Sequence, residues 1–451
     1  MNARRVVITG LGPVTPLGSG AADFWSALLD GRSAIRPLRS FDPRRFDSRI
    51  GGEIDELQIG DYVPKSYRKA AKIMARDIVL AVAAAYYALR DADLRTKCFL
   101  ERGEASGSAD VESTRFGANI GAGLICADLP ELAEVLHGAS DDGVFSFARW
   151  GREGMNNLTP LWLLKFLPNM LACHVTIVHD AQGPSNTITC GEASSHLAIG
   201  EAFRTISRGA ADVCICGGAE SKINPMALLR QELGHRLSVR NDSPRSACRP
   251  FAADRDGTVI SEGGGLVILE ELEHARRRGA RIYAELVGFG AAHDAHEPGQ
   301  PSAPHPQGRG TALAVRKALR EARIGAQQVD LVGAFACGLP QHDVAEAAAL
   351  HAALGEHAAG VPVMNIKAGL GNNGAGSGAI DFIAAVLALY YGAVPPAFNS
   401  CPLAEDCRLN VVSSGPQDLA VEHALSLAYA LGGGQNAALV IRRFREPVAE
   451  S

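Results

Sequence analysis

Short apolar runs rich in β-branched residues alternate along this chain with longer runs rich in alanine. The short runs predict buried strands at residues 5–9, 213–216, 265–269, 329–334 and 361–366. The longer runs predict helices at residues 70–90 and 378–390. Because strands that alternate with helices are typical of layered α/β proteins, the pattern predicts an α/β fold with buried sheets.

The two longest apolar runs, residues 78–89 and 382–398, bear on membrane association. A helix needs about 20 uninterrupted apolar residues to cross a bilayer. The first run is shorter than that, and the second contains Pro395 and Pro396. Both runs therefore predict buried helices rich in alanine, and we expect no membrane partner.

Composition and charge narrow the class of protein. The chain has 451 residues, and 44 Lys and Arg against 49 Asp and Glu give a net charge of −5. Nucleic-acid binding usually requires a basic surplus on one face, so we expect no nucleic-acid partner. A hydrophobic content of 47% predicts a large core. The length fits two or three domain-sized units or one duplicated architecture.

The ten cysteines are spread along the chain without the dense spacing of small secreted scaffolds. No signal peptide precedes the first predicted strand. The cysteines are therefore predicted to be reduced thiols, and we expect a cytoplasmic location.

A segment dense in glycine and charge, residues 254–265, lies near the middle of the chain. We place the division between two halves there, at residues 1–253 and 254–451. Each half contains a glycine-bordered turn that leads into a helix of small residues, at 190–195 and at 371–378. This similarity favours an internal duplication. Residues 101–115 and the proline-rich residues 293–310 are predicted to be exposed excursions.

Two weaker patterns bear on ligand binding. Residues 369–374 match G-x-G-x-x-G after a predicted strand, but the carboxylate that a dinucleotide ribose requires is missing about 20 residues later, so close backbone packing is the favoured interpretation. The candidate metal ligands have no zinc-finger spacing and are interpreted as loop histidines and core thiols, with no metal expected. They are His293, His296, His305, Cys214 and Cys216.

The run of residues 183–192 leads into a helix that ends near Gly209. A group at the start of such a helix faces unpaired backbone N–H donors and the positive end of the helix dipole. That position suits an anion or a thiolate nucleophile. Glu192 lies there.

These residues resemble the elongating β-ketoacyl-ACP synthases of the thiolase superfamily, over nearly the whole chain. The matching segments are 6–18, 41–43, 52–54, 167–170, 183–185, 211–213, 217–220, 249–251, 254–257 and 262–263. The resemblance implies a duplicated five-layer α-β-α-β-α fold, usually dimeric.

Active members of that family use one cysteine and two histidines, and in this chain all three positions differ. Glu192 stands at the cysteine position, Phe335 at the first histidine and Asn372 at the second. Other family positions keep their residue type or belong to the glycine-rich gating loop. They are Lys367, the network residues Asp343, Glu346 and Glu262, and the loop residues Gly432, Gly433 and Gly434, with Gly432 where a gating Phe usually stands.

Loss of these groups on a retained scaffold resembles the chain-length factors of type II polyketide synthases. Those factors typically carry Gln at the cysteine position, so Glu192 departs from them. The resemblance implies an active ketosynthase as partner in a heterodimer, or a second copy in a homodimer, together with acyl carrier protein. No cofactor is implied, because the carrier protein brings the phosphopantetheine arm. Candidates for the acyl-tunnel wall or the interface are Leu124, Ile125, Leu129, Leu132 and Met170.

Two other functions stay open on the sequence. Glu192 could act as acid or base in a malonyl-ACP decarboxylase, although Phe335 and Asn372 remove groups that stabilise an enolate. Cys190 could be a displaced nucleophile in an active 3-oxoacyl-ACP synthase, an acyltransferase. In the silent subunit, Glu192 is expected to be a structural anion in the first helical turn, the alternative being an ion pair with a basic group of the partner.

Overall fold

The computed structural model describes residues 4–158, 160–294 and 303–446. The strands are β1 Val6–Thr15, β2 Gly18–Ser19, β3 Ile35–Pro37, β4 Ile50–Gly52, β5 Phe116–Ala122, β6 Ser140–Asp141, β7 Val144–Phe145, β8 Ser185–Ile188, β9 Val213–Ser221, β10 Ile260–Glu271, β11 Ala284–His293, β12 Leu331–Gly333, β13 Pro362–Met364, β14 Ala393–Val394, β15 Asn410–Val411, β16 Gln417–Asp418, β17 His423–Tyr429 and β18 Gln435–Arg442. The helices are α1 Ala21–Leu29, α2 Arg76–Asp91, α3 Lys97–Arg102, α4 Leu129–Gly138, α5 Phe147–Arg152, α6 Met170–His179, α7 Ser194–Ser207, α8 Pro225–Leu233, α9 Leu272–Arg277, α10 Arg309–Ala322, α11 Pro340–Leu354, α12 Lys367–Leu370 and α13 Ser377–Tyr391. Each predicted strand overlaps an observed one.

Two predicted helices have different bounds. The helix predicted at 70–90 is divided, because the backbone is extended at Met74 and Ala75 between a 3-10 turn and α2. The helix predicted across 382–398 ends at Tyr391, because Gly392 adopts φ 68° and a two-residue strand and two prolines follow. In both places the local preference of alanine for helix is overridden by the surrounding structure.

The order of strands in the main sheet confirms the duplication. In one half, β5 lies parallel to β8 and β9, β9 pairs antiparallel with β10, and β10 with β1. In the other half, β12 lies parallel to β13 and β17, β17 pairs antiparallel with β18, and β18 with β11. The two patterns correspond strand for strand, and β1 joins β11 between them.

Three helical layers separate and cover the sheets. Helix α2 packs on the outer face of the first half, and α10 packs on the outer face of the second. Helices α7 and α13 pack against each other in the centre and against strands of both halves. The central core cluster includes Ile199 of α7 and Phe382 of α13, both fully buried. This is the predicted five-layer α/β arrangement, with the two glycine-bordered turns meeting at its centre.

The division at residues 253/254 stays a prediction. The strand that follows it, β10, pairs with β1 and β9 of the first half.

One helical segment is long and apolar enough to cross a membrane by length and composition. It spans Gly374–Tyr391, has 18 residues and a mean hydropathy of 1.4, and is 89% buried inside the structure. It contains the central helix α13, so burial in the protein core explains its composition.

Of the two predicted excursions, residues 101–115 form the end of α3, turns and one 3-10 turn. The proline-rich segment is described only in part. His296, Pro298 and Pro301 lie outside the described residues, whereas His305 lies in an irregular segment before α10.

Candidate active site

Glu192 lies at the sharp turn between β8 and α7. The turn depends on Gly191, which adopts φ 57°, and α7 begins at Ser194, two residues after Glu192. The Glu192 side chain is buried, with 4% of the residue exposed. The expected position in the first helical turn was wrong, so helix N–H groups do not explain how the charge is held.

Three separate parts of the chain hold the Glu192 carboxylate. Oε1 accepts a hydrogen bond from Lys222 Nζ at 2.7 Å and a longer one from Asn372 Nδ2 at 3.4 Å. Oε2 accepts the backbone N–H of Leu431 at 2.9 Å. Both oxygens are therefore occupied, and the counter-ion belongs to the same chain. Glu192 is therefore a structural anion, as expected, but Lys222, Asn372 and Leu431 hold it in place of helix N–H groups, and its ion pair lies within the chain and not with a partner subunit.

Lys222 follows the last residue of β9 and is 5% exposed. Its backbone N–H donates to the carbonyl of Ser261 on β10 at 3.0 Å, which fixes its position beside the turn. The buried carboxylate of Glu220, two residues earlier, accepts the N–H of Ala375 at 2.7 Å. Burial lowers the pKa of Lys222, but the charges of Glu192 and Glu220 outweigh burial and raise it.

The same environment keeps Glu192 ionised. Burial raises the pKa of Glu192, but the Lys222 ammonium and the hydrogen bonds from Lys222 and Leu431 outweigh burial and bring the pKa down to about 2. A general base works best with a pKa near the operating pH. Glu192 is thus a poor proton acceptor at neutral pH.

Phe335, which the family resemblance places at the first histidine position, has an apolar ring that is completely buried. The ring packs edge-on against Tyr429 at a centroid distance of 4.8 Å. On another side the ammonium of Lys367 lies 4.4 Å from the ring centroid and pairs with Asp381 of α13. A cation held over an aromatic face is stabilised by the ring quadrupole, so both the Phe335 ring and the Asp381 carboxylate hold the Lys367 ammonium.

Asn372, which the family resemblance places at the second histidine position, forms hydrogen bonds with neighbours through both ends of its amide. Its Nδ2 donates to Glu192, and its Oδ1 accepts the N–H of Gly374 at 2.9 Å. Gly374 adopts φ 71°, and an added Cβ would lie 2.0 Å from Glu220 Oε2. The last glycine of the G-x-G-x-x-G segment therefore lets the backbone approach the buried charges.

The network residues hold backbone segments around the site. Glu346 accepts the N–H groups of Phe335 and Ala336 at 2.8 and 2.7 Å. Asp343 accepts those of Cys337 and Phe251 at 3.1 and 2.9 Å. Burial raises the pKa of each carboxyl to about 7.

Glu262 lies on the other side of the turn, on β10. It pairs with Arg76 at 2.8 Å and accepts the N–H of Ile54 at 2.9 Å and the hydroxyl of Ser221 at 3.1 Å. It therefore links α2 to the end of β9, next to Lys222.

The glycine-rich loop approaches the carboxylate through Leu431, which is completely buried. Gly432 is exposed, and an added Cβ there would meet no atom within 4 Å. Gly433 and Gly434 adopt φ 79° and 97°. The contact of this loop with Glu192 is made by the backbone that precedes the glycines.

The five tunnel or interface candidates differ in exposure. Leu124 and Leu129 are 57% and 40% exposed, whereas Ile125 is 5% exposed and packs in the core under α2. Leu132 and Met170 are partly buried. Only Leu124 and Leu129 of this set are exposed.

Two buried histidines lie near the site without replacing the lost ones. His196 Nε2 bonds to Ser426 Oγ at 2.9 Å, and His342 Nε2 bonds to the carbonyl of Leu431 at 3.1 Å. Burial lowers the pKa of both imidazoles. Among the hydrogen bonds of residues 4–158, 160–294 and 303–446, none joins a histidine to Glu192.

The remaining candidate groups are three cysteines and the possible metal ligands. Burial raises the pKa of the Cys190 thiol, which keeps it protonated, and its backbone N–H donates to Ser194 Oγ at 2.8 Å. Cys214 and Cys216 are buried in β9. Within the described part of the chain, no group of three or more His, Cys, Asp or Glu side chains could hold a metal ion.

Three partners in this site were not foreseen from the sequence: Lys222, the Leu431 backbone and Asp381. A lysine directly after the buried strand that ends in Glu220 and Ser221 was the available signal for the first. The other two depend on contacts between distant segments, which no local pattern encodes.

Comparison with known proteins agrees with this architecture. The family models for the N-terminal and C-terminal domains of β-ketoacyl synthases match residues 3–275 and 283–400. The 3-oxoacyl-[acyl-carrier-protein] synthase 2 of Synechocystis is 34% identical over 445 residues, which cover 99% of each chain. The ishigamide ketosynthase/chain length factor structure superposes with a TM-score of 0.82 at 26% identity, covering 98% of this chain and 100% of that one. A structure of a type II polyketide synthase acyl carrier protein in complex with its ketosynthase gives a TM-score of 0.83 at 28% identity, with the same coverage. By sequence, fold and position of the central turn, the chain belongs to the β-ketoacyl synthase family.

Proposed function

We propose that this chain is a non-condensing subunit of type II fatty acid or polyketide synthesis that pairs with an active β-ketoacyl synthase. The partner carries out the condensation on acyl carrier protein, and this chain supplies a dimer face and part of the wall that limits acyl length. The relatives named above, a synthase and a ketosynthase/chain length factor, support this class of function.

One observation carries the proposal: the carboxylate at the nucleophile position is ionised and fully hydrogen-bonded within the chain. Condensation requires a group that forms a thioester and passes the acyl chain on. A carboxylate paired with a buried ammonium is stabilised as an anion and has no unoccupied oxygen to attack. Phe335 has no proton to donate, and the donor of Asn372 is bound to Glu192.

The same contacts argue against a decarboxylase that uses Glu192. Release of CO2 from a malonyl thioester builds negative charge on the thioester oxygen, which donors must stabilise. Here the N–H of Leu431 and the amide of Asn372 point to Glu192 instead. An anion of pKa about 2 beside the reacting carboxylate would oppose the charge that develops.

An apolar face on the first half suits a partner subunit. Most large hydrophobic side chains that are exposed among the described residues lie between residues 124 and 177. We infer that this set forms one surface, called the apolar face: Leu124, Leu129, Leu136, Val144, Phe145, Phe147, Met155, Leu161, Leu163 and Ile177. Exposed apolar side chains gathered on one surface mark interaction sites.

An unpaired strand edge lies beside the apolar face. Strand β8 is at the end of the main sheet and pairs only with β5 among the described strands. It packs against α6, the helix that carries Ile177. An exposed edge offers backbone groups to a strand of another subunit. Together, edge and face fit a second ketosynthase-fold chain.

Co-expression with the ketosynthase encoded nearest to this chain tests the proposal. Light scattering after gel filtration should show a heterodimer, and product should require both subunits. Replacing the partner's nucleophilic cysteine should abolish product. Cys190→Ser in this chain should leave product formation unchanged, which separates the proposal from an active synthase that uses Cys190. Condensation by this chain alone would overturn it.

A further inference from the structure

Leu431 is held at both ends of its peptide group by side chains from other parts of the fold. Its N–H donates to Glu192 Oε2 at 2.9 Å, and its carbonyl accepts from His342 Nε2 at 3.1 Å. The His342 ring stacks on Tyr429 at a centroid distance of 6.2 Å, which fixes the direction of its donor. All four residues are buried.

The backbone after Leu431 gives little support of its own. Residues 432–434 are glycines, which lose the most conformational entropy on ordering. A turn closes from Gly433 N–H to the carbonyl of Ala430 at 2.8 Å. The Leu431 peptide itself is bonded to Glu192 and His342, whereas the far end of the glycine run is held by the N–H of Asp294, which donates to the carbonyl of Gly434 at 2.8 Å.

The Leu431 side chain covers the position of the lost first histidine. It belongs to a small buried cluster of Phe335, Cys337, Leu339, Ala428, Tyr429 and Leu431. Cys337 and Phe335 are completely buried in this cluster, although Gly432 next to Leu431 is exposed. A displacement of Leu431 would open the cluster to solvent.

We propose that Glu192 and His342 clamp Leu431 as a seal over Cys337 and Phe335, which keeps the site of this subunit closed to the arm of an acyl carrier protein. His342 is a positioning residue in this arrangement, because it acts only through the Leu431 peptide. The identity of the excluded arm rests on the proposed function, but the seal itself does not.

Thiol labelling measures the seal without any activity assay. The full chain is treated with N-ethylmaleimide, and each cysteine is followed by peptide mass spectrometry. Exposed Cys401 is the fast internal reference, and Cys214, completely buried in the sheet, is the reference for global opening. In the unmodified chain Cys337 should stay unlabelled on the time scale on which Cys401 reacts.

Two variants each remove one of the two hydrogen bonds that hold the Leu431 peptide. His342→Leu removes one bond, and Glu192→Ala with Lys222→Met removes the other together with its counter-ion, while Glu220 keeps its hydrogen bond from the N–H of Ala375. Each should raise the labelling rate of Cys337 about tenfold relative to Cys214. His342→Gln keeps a donor and should restore protection.

Every outcome decides the proposal. Labelling of Cys337 as fast as Cys401 in the unmodified chain overturns the seal, and so does unchanged protection in both variants. Parallel labelling of Cys214 and Cys337 means that the whole fold opens, which contradicts a local seal. A protected Cys337 in a chain that forms no heterodimer would leave the seal standing and reject the proposed function.

Discussion

Lys222 Nζ lies 2.7 Å from Glu192 Oε1, and both side chains are almost completely shielded from water. At an effective dielectric constant of about 20, two charges at that separation attract each other by roughly 6 kcal/mol. Removing each ion from water costs several kcal/mol, so the pair adds little net stability. Burying either charge without the other would, however, cost the folded state several kcal/mol.

Lys222→Met should therefore destabilise the chain strongly, by about 3 to 5 kcal/mol in the free energy of unfolding, because it leaves a buried carboxylate without its counter-ion. Glu192→Gln with Lys222→Met should recover part of this loss, since residue 192 is then neutral, whereas Glu220 still loses the ammonium beside it. Urea unfolding of the two single variants and the double variant measures the coupling. Additive losses would mean that the two side chains do not depend on each other.

Glu192→Cys alone should not produce a condensing enzyme. The thiol would lie beside Lys222, but Phe335 and Asn372 supply no imidazole to the developing oxyanion, and one missing donor costs about 10² to 10³ in rate. The variant that also carries Phe335→His and Asn372→His should exceed the single variant. Measurable β-ketoacyl product from Glu192→Cys alone would show that the two lost histidines are not limiting.

The apolar face predicts which substitutions break the heterodimer. Leu161 belongs to the apolar face and is 62% exposed. Leu161→Glu should lower the heterodimer fraction in gel filtration, because the interface would then bury an unpaired charge. Leu313→Glu is the matched control, because Leu313 is also exposed, at 45%, but lies on α10 of the other half. Equal loss of heterodimer in both variants would reject this face as the interface.

The length of the product tests the role of the exposed tunnel candidates. Leu129→Ala should lengthen the product of the reconstituted pair, because a bulky side chain at a tunnel end excludes further carbons at a cost of about 1 to 3 kcal/mol. Chromatography of the products measures the shift, with Leu313→Ala as the control. An unchanged distribution of product lengths in Leu124→Ala and Leu129→Ala would show that these side chains do not limit acyl length.

Buried acids give the fold a defined pH dependence. Burial, and then the charge of Glu220, raise the pKa of Asp77 to about 7 in the folded chain. Between pH of about 4 and 7 the folded state keeps a proton that the unfolded state has lost, so stability falls as the pH rises through this window.

Asp77→Asn should remove part of that fall, up to about 1.4 kcal/mol per pH unit for one proton. The substitution keeps the oxygen that accepts the N–H of Ser221. Urea unfolding of both chains at several pH values gives the comparison. Identical pH profiles would show that Asp77 is ionised at neutral pH in the folded state.

The sequence predicted the alternation of strands and helices and the duplication because these depend on local composition. The assignment of Glu192, Phe335 and Asn372 to the catalytic positions follows from the family resemblance, and the structure brings Glu192 and Asn372 into contact. It did not predict how Glu192 is held. The position two residues before α7 follows from the left-handed turn at Gly191, and the counter-ion comes from the end of another strand. Such contacts depend on how the end of β9 and the loop that contains Leu431 are brought together, which only the assembled fold determines.

The central claim is that this chain performs no acyl chemistry itself, and one assay tests it most directly. The purified chain is incubated alone with acyl and malonyl carrier proteins, and its intact mass and the release of CO2 are recorded together. We predict an unchanged protein mass, and CO2 release no faster than in the same mixture without the protein. An acyl adduct on Cys190, or CO2 release that Glu192→Ala abolishes, would contradict the account.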